Sequence, residues 1–165
     1  GDCAPPVPVG HLAVIQGEAP ARNAERIIRD GHSELSADWS RATAMSGLFT
    51  EPQCVEIGMT ERPARDKGFG TISGIVHYND QGKGMIAGSR HGFVKIVADA
   101  VSRRIIGASG VGPVVLETAH VAQLAIHSGL TLEEYVAAPH YHPTLAEAWS
   151  SAAQDAIDRH PRSDQ

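Results

Sequence analysis

An imidazole and a carboxylate stand five residues apart, as His142 and Glu147, in the stretch Pro139-His140-Tyr141-His142-Pro143-Thr144-Leu145-Ala146-Glu147-Ala148-Trp149. A carboxylate beside an imidazole fixes its tautomer and raises its basicity, which prepares the ring as a general base. Proline is favoured in the first turn of a helix, so the order His142-Pro143 predicts His142 at a helix mouth. Leu145, Trp149, Ala152 and Ala156 recur at i, i+4, i+7 and i+11, one apolar helical stripe. At about 100° per residue Glu147 falls on the other side of that stripe, free to face a site rather than a core. A helix-capping histidine with a solvated glutamate is the competing reading of the same residues.

Other residues with chemical potential carry weaker patterns. Gly82-Lys83-Gly84-Met85-Ile86-Ala87-Gly88 lacks the Walker spacing and a Ser or Thr after the lysine, and a strand pattern follows it, so it reads as plain loop. Gly107, Gly110 and Gly112 have the wrong order for a dinucleotide fingerprint and read as positions of close backbone packing. His120 and His127, and the alternating pair His140 and His142, find no third ligand at metal-binding spacing, so no metal is expected. Cys3 and Cys54 lie far apart in different segments and form no disulfide framework, a usage that suits a reducing cytosol.

The elements that must position these residues read as follows. A helix is expected from about Val9 to Arg29, with Gly17 and Pro20 as weak points. Residues 31–50 read as a polar connector anchored by Trp39, and residues 51–160 as one domain. Strands are expected at Pro52–Met59, at Gly70–Tyr78 with a bulge at Gly74, at Phe93–Ala98, and at Arg104–Gly110 after a turn over Asp99–Arg103. Thr60 caps a short helix that Gly68 ends. Pro113 opens a helix running to about Ser128, stopped by Gly129, and Thr131-Leu132-Glu133-Glu134 is a capping arrangement for another. Hairpin-linked strands followed by a run of helices make an α+β domain.

Composition sets outer bounds. The 165 residues suffice for one ordinary domain plus an appendage, and 14 Lys and Arg against 19 Asp and Glu leave a net charge of −5. That balance offers nothing to nucleic acid or an anionic membrane, and no apolar run approaches the length of a membrane span. The chain opens without methionine or a signal peptide and in the middle of a motif, so it reads as a C-terminal piece of a longer, cytoplasmic protein.

His142-Pro143-Thr144-Leu145-Ala146-Glu147 closely resembles the C-terminal signature of the flavoprotein disulfide reductases, the class I pyridine nucleotide-disulfide oxidoreductases of dihydrolipoamide dehydrogenase type. Thr50–Glu61 resembles the segment that opens their interface domain. Gly92–Asp99, Ile105–Ala108 and Gly112-Pro113 follow in the family's order. Gly1-Asp2 with Gly10-His11-Leu12-Ala13 and Gly17 resembles their last FAD-binding stretch. The resemblance implies an antiparallel β-sheet with helices packed on one side, used for homodimerisation and preceded by an N-terminal helix (residues 1–30) from the FAD domain. It implies FAD and NAD or NADP as cofactors, the nicotinamide bound outside this chain. Asp2 would hold the ribityl chain, and the helix start at Val9, Gly10 and His11 would face the flavin. His142 would deprotonate a small dithiol substrate at the partner subunit's redox disulfide, with Glu147 orienting it. The Leu145-Ala146 pair leans toward the lipoamide-type pattern. A glutathione- or mercuric-reductase-type relative, or a non-catalytic dimerisation module, stays open, since the chain has no C-x-x-x-x-C and no G-x-G-x-x-G.

Overall fold

The computed structural model describes residue 3 and residues 9–31, 44–89 and 91–162. Two compact units divide between Ala44 and Met45. In the first, helix α1 (Gly10–Asp30) runs straight through Pro20 and ends at Gly31 in the left-handed conformation, φ 76°. Neither expected weak point breaks it. Most of the expected connector, Trp39 included, lies outside the described residues.

The second unit is built on five antiparallel strands: β1 (Met45–Leu48), β2 (Gln53–Gly58), β3 (Thr71–His77), β4 (Phe93–Asp99) and β5 (Ile105–Gly112). Their spatial order is β1-β2-β5-β4-β3. β1 falls inside the stretch expected to be connector: with Gly and Ser in a four-residue strand, its sequence carries too little alternation to be seen, and pairing with β2 creates it. β4 and β5 meet at a turn without Asn-Gly, where the Asp99 carboxylate accepts the Ser102 amide at 2.7 Å and its hydroxyl at 2.6 Å.

Seven helices are described, six of them in this unit: α2 (Glu61–Asp66), α3 (Gly82–Ile86), α4 (Val115–Thr118), α5 (His120–Ser128), α6 (Leu132–Ala137) and α7 (Glu147–Arg159). α4, α5 and α7 pack on the strands, and α6 packs on α7. Between them lie the buried Val55, Ile57, Val94, Ile96, Ala108 and Trp149. Even spacing of apolar side chains along β2 and β4 puts these on one face. The opposite face is reached by α2, whose Glu61 accepts the Ser73 hydroxyl at 2.8 Å and pairs with Lys95 at 2.5 Å.

Four local expectations need correction. Residues 82–86, read as loop, form α3: the Gln81 side chain accepts the Gly84 amide at 2.9 Å and caps a turn that propensity alone disfavours. The helix expected from Pro113 to Ser128 starts late, after Val114 at φ 46°, and is two helices that meet at Ala119, the C-cap of α4 and the N-cap of α5. Thr60 holds the N-cap position of α2 without a side-chain cap bond. Gly74 marks no bulge, since it pairs in regular register with Ile96. Its missing side chain serves α7 instead: an added Cβ would strike the backbone of Ala152 and Ala156. The expected close packing does appear at Gly107, Gly110 and Gly112, where a Cβ would meet Met59, Val115 and Tyr78. The capping box at Thr131 and Glu134 is complete.

α7 carries the expected stripe. Trp149, Ala152 and Ala156 are fully buried and Leu145 packs on the same core from the preceding loop. The small alanines let the helix lie close against β3 and β4. Removing the buried indole of Trp149 would cost about 3–5 kcal/mol.

Candidate functional site

The site lies on the loop 138–146, which joins α6 to α7. Its position follows from what holds each end. At the α6 end His140 Nε2 bonds the Tyr135 carbonyl at 3.0 Å, and the two rings meet edge to face with centroids 5.2 Å apart. At the other end Ala148 and Trp149 plant α7 in the core.

The structure brings His142 and Glu147 together. His142 Nδ1 lies 2.8 Å from Glu147 Oε1, while Glu147 Oε2 accepts the Thr144 amide at 2.6 Å. The sequence expectation that Pro143 opens the helix fails: α7 begins at Glu147, and Pro143 follows a cis peptide bond within the loop. The carboxylate is therefore the first residue of the helix, where the macrodipole favours negative charge. His142 stands before it on loop and not on helix.

Burial pushes the Glu147 carboxyl up, but the Thr144 amide and the His142 ring outweigh it and hold the group below the usual carboxylate range. An ionised carboxylate only accepts, so the neutral imidazole carries its proton on Nδ1 and leaves Nε2 bare. The side chain of His142 is 76% exposed and that of Glu147 only 19%. The arrangement is an oriented base with its reactive nitrogen toward solvent. Neither a cavity of about 280 Å³ beside Cys54 and Phe93 nor one of about 600 Å³ beside Arg103 and Arg162 includes His142 or Glu147.

At the other candidate site, Val9 is the N-cap of α1 in extended conformation, with no side-chain cap bond and no acidic residue in the first turn. Nothing approaches the Cβ position of Gly10 within 4 Å, and His11 is exposed. Asp2 lies outside the described residues.

Residues 45–153 match the dimerisation domain of the pyridine nucleotide-disulphide oxidoreductases. The chain belongs to this family. It is 36% identical over 157 residues to a dihydrolipoyl dehydrogenase of Halobacterium salinarum, covering 95% of this chain and 31% of the relative. A dihydrolipoyl dehydrogenase of Geobacillus stearothermophilus is 31% identical over 157 residues, with 95% and 32% covered. The chain thus spans about a third of the length of these curated relatives. Among solved structures, LpdA from Mycobacterium tuberculosis shares the fold with a TM-score of 0.75 at 21% identity, over 93% of this chain and 32% of that one. The α+β sheet-and-helix architecture is that of the family's dimerisation domain.

Among the described residues no group of three His, Cys, Asp or Glu could hold a metal ion, and no described helix is long and apolar enough to cross a membrane. Sequence reading missed two supports of this dimerisation-domain site. One is the Thr144 amide, hidden because any residue has one. The other is Tyr141, whose carbonyl accepts the Thr144 hydroxyl at 2.8 Å and draws the loop into a turn.

Proposed function

We propose that this chain is the interface portion of an FAD- and NAD(P)H-dependent oxidoreductase of the dihydrolipoyl type, in which His142 is the acid–base group for a small dithiol substrate. The observation that supports it is the fork at Glu147, one oxygen on the Thr144 amide and the other on His142 Nδ1. The names of the curated relatives point to the same substrate class. In this reading Nε2 takes the proton of a substrate thiol, and the thiolate attacks a disulfide sulfur. The imidazolium formed faces an ionised Glu147, which stabilises it. The same ring returns the proton when the mixed disulfide resolves.

The disulfide is supplied by the partner subunit of a homodimer, which covers the exposed imidazole. Exposed Val114, Val121 and Leu124 on and beside α4 and α5 are suited to such burial. FAD supplies two-electron redox capacity when bound; Asp2 and the helix start at Val9, Gly10 and His11 would hold it, and the enzyme would work in the cytoplasm. Residues 1–30 are proposed as the end of the FAD domain, and the expected connector 31–50 gives way at Met45, where β1 joins the sheet of the interface domain.

Stopped-flow measurement of the two half-reactions on the whole enzyme tests this reading. His142→Gln should slow reduction by dithiol by about 10²–10⁴-fold, the range for a lost acid–base group. Reduction by NAD(P)H should stay near the wild-type rate. Equal slowing of both halves would overturn the assignment, and a wild-type dimer without any turnover would favour the non-catalytic module.

A further inference from the structure

We propose that Gln81, in the connection between β3 and β4, is a positioning residue for the His142–Glu147 pair. The proposal rests on the function proposed above and adds to it the group that sets the geometry of the base. Gln81 lies just before α3 and is 8% exposed. Both ends of its side-chain amide are in use. Oε1 accepts the Gly84 amide at 2.9 Å, and Nε2 donates to the Thr144 carbonyl at 2.7 Å. Reversing the amide would set oxygen against oxygen and N–H against N–H, so its orientation is determined by its partners.

Thr144 is the residue through which the carboxylate is held. Its carbonyl is gripped by Gln81, its amide donates to Glu147 Oε2, and its hydroxyl donates to the Tyr141 carbonyl. Glu147 Oε1 then meets His142 Nδ1. A continuous hydrogen-bonded line therefore runs from the cap of α3 to the imidazole. The far end is rigid: Tyr78 is fully buried, Gln81 N bonds its carbonyl at 3.3 Å, and a Cβ on Gly84 would strike the Tyr78 backbone. His142 itself is largely exposed, and the buried Gln81 amide is the contact that ties Thr144, and through it Glu147, to the β3–β4 connection. Without it the carboxylate keeps its helix position but loses the backbone amide that aims it. His142 is then free to take either tautomer, and the one with Nε2 protonated cannot accept a thiol proton.

The test uses Gln81→Met, Gln81→Glu and His142→Gln in the whole enzyme. Gln81→Met should slow the dithiol half-reaction about tenfold or more, as expected for misplacement of a reacting group, and leave the NAD(P)H half-reaction unchanged. Equal slowing of both halves would assign Gln81 a structural role only. Nitrogen-15 labelling of histidine gives a readout independent of turnover: wild-type His142 should show one tautomer and Gln81→Met a mixture. A single tautomer in both would overturn the proposal. Gln81→Glu retains the cap in either protonation state, but only its acid form can donate to Thr144. Its rate relative to wild type at the same pH should approach one at low pH and fall as the acid ionises. Asp80 and Lys83 in the same segment, and His140, His142 and Glu147 on the gripped loop, are present in both proteins, so the ratio reports what the substitution changes. A ratio of one at every pH means that capping alone matters, which would overturn the proposal. If His142→Gln leaves the dithiol half-reaction intact, the functional reading itself falls and this inference with it. If His142→Gln slows it and neither Gln81 variant does, only the role of Gln81 is lost.

Discussion

Each end of α7 meets a carboxylate paired with a base, and the two pairs differ in which partner is shielded. At the C-terminal end Arg103 is nearly buried, its side chain 7% exposed, and its Nε meets Glu133 at 2.5 Å. Its Nη1 donates to the His160 carbonyl at 2.9 Å, just past the last helical residue. At the N-terminal end the carboxylate of Glu147 is the shielded partner and His142 the exposed one. A guanidinium keeps its charge at any accessible pH, so the first pair only holds the helix end to the β4–β5 turn. In the second pair the exposed partner is an imidazole, which can both accept and donate a proton, as the proposed role requires. Burying the base makes a staple. Burying the acid and exposing a titratable base makes a site.

Breaking each pair should separate the two roles. The largest effect belongs to His142→Gln, which should cost about 10²–10⁴-fold in the dithiol half-reaction and leave the urea midpoint almost unmoved, since the ring is mostly exposed. Arg103→Met should do the reverse. It removes charge-assisted bonds to Glu133 and His160 and should lower stability by about 1.5–3 kcal/mol in urea titration, with half-reaction rates preserved in the folded fraction. A smaller, graded effect should follow pH. Glu147 and Glu61 are both held below their ordinary value of 4.5. Their contribution to stability is complete above about that pH and is lost as pH falls through their folded values, so thermal midpoints should drop on acidification. Burial pushes the Tyr78 hydroxyl from 10 up to about 12, with Thr118 pulling partly back. The neutral form is favoured in the fold, so that stability is intact below about pH 10 and declines as pH rises toward 12. The smallest effect is expected in the last turns of α7, where Arg159→Ala removes a pair with Asp155 at 2.9 Å and should cost about 0.3–0.5 kcal/mol.

Much of this was legible along the chain. The stripe through Trp149, Ala152 and Ala156, the turn at Asp99, the capping box at Thr131 and the near-contact of His142 with Glu147 all involve residues within a few turns of one another. Periodicity and capping chemistry report such relations directly. Misreadings came where a distant neighbour decided the outcome. Gly74 resembles a bulge in isolation and is a seat for α7 in the fold. Residues 82–86 are loop by composition and helix once Gln81 caps them. The order His142-Pro143 suggests a helix mouth, yet α7 starts only at Glu147, and Pro143 stays in the loop.

By itself the sequence determined which residues can do chemistry and which faces must be buried, because side-chain type and spacing belong to the chain. Tertiary structure alone decided how the base is aimed. Gln81 and Thr144 are separated by 63 positions. No local pattern links them, and their bond exists only after β3, β4 and α7 have closed into one packed unit. A hydrogen bond needs its donor and acceptor within about 3 Å and in line, and precision of that kind between remote residues is a property of packing.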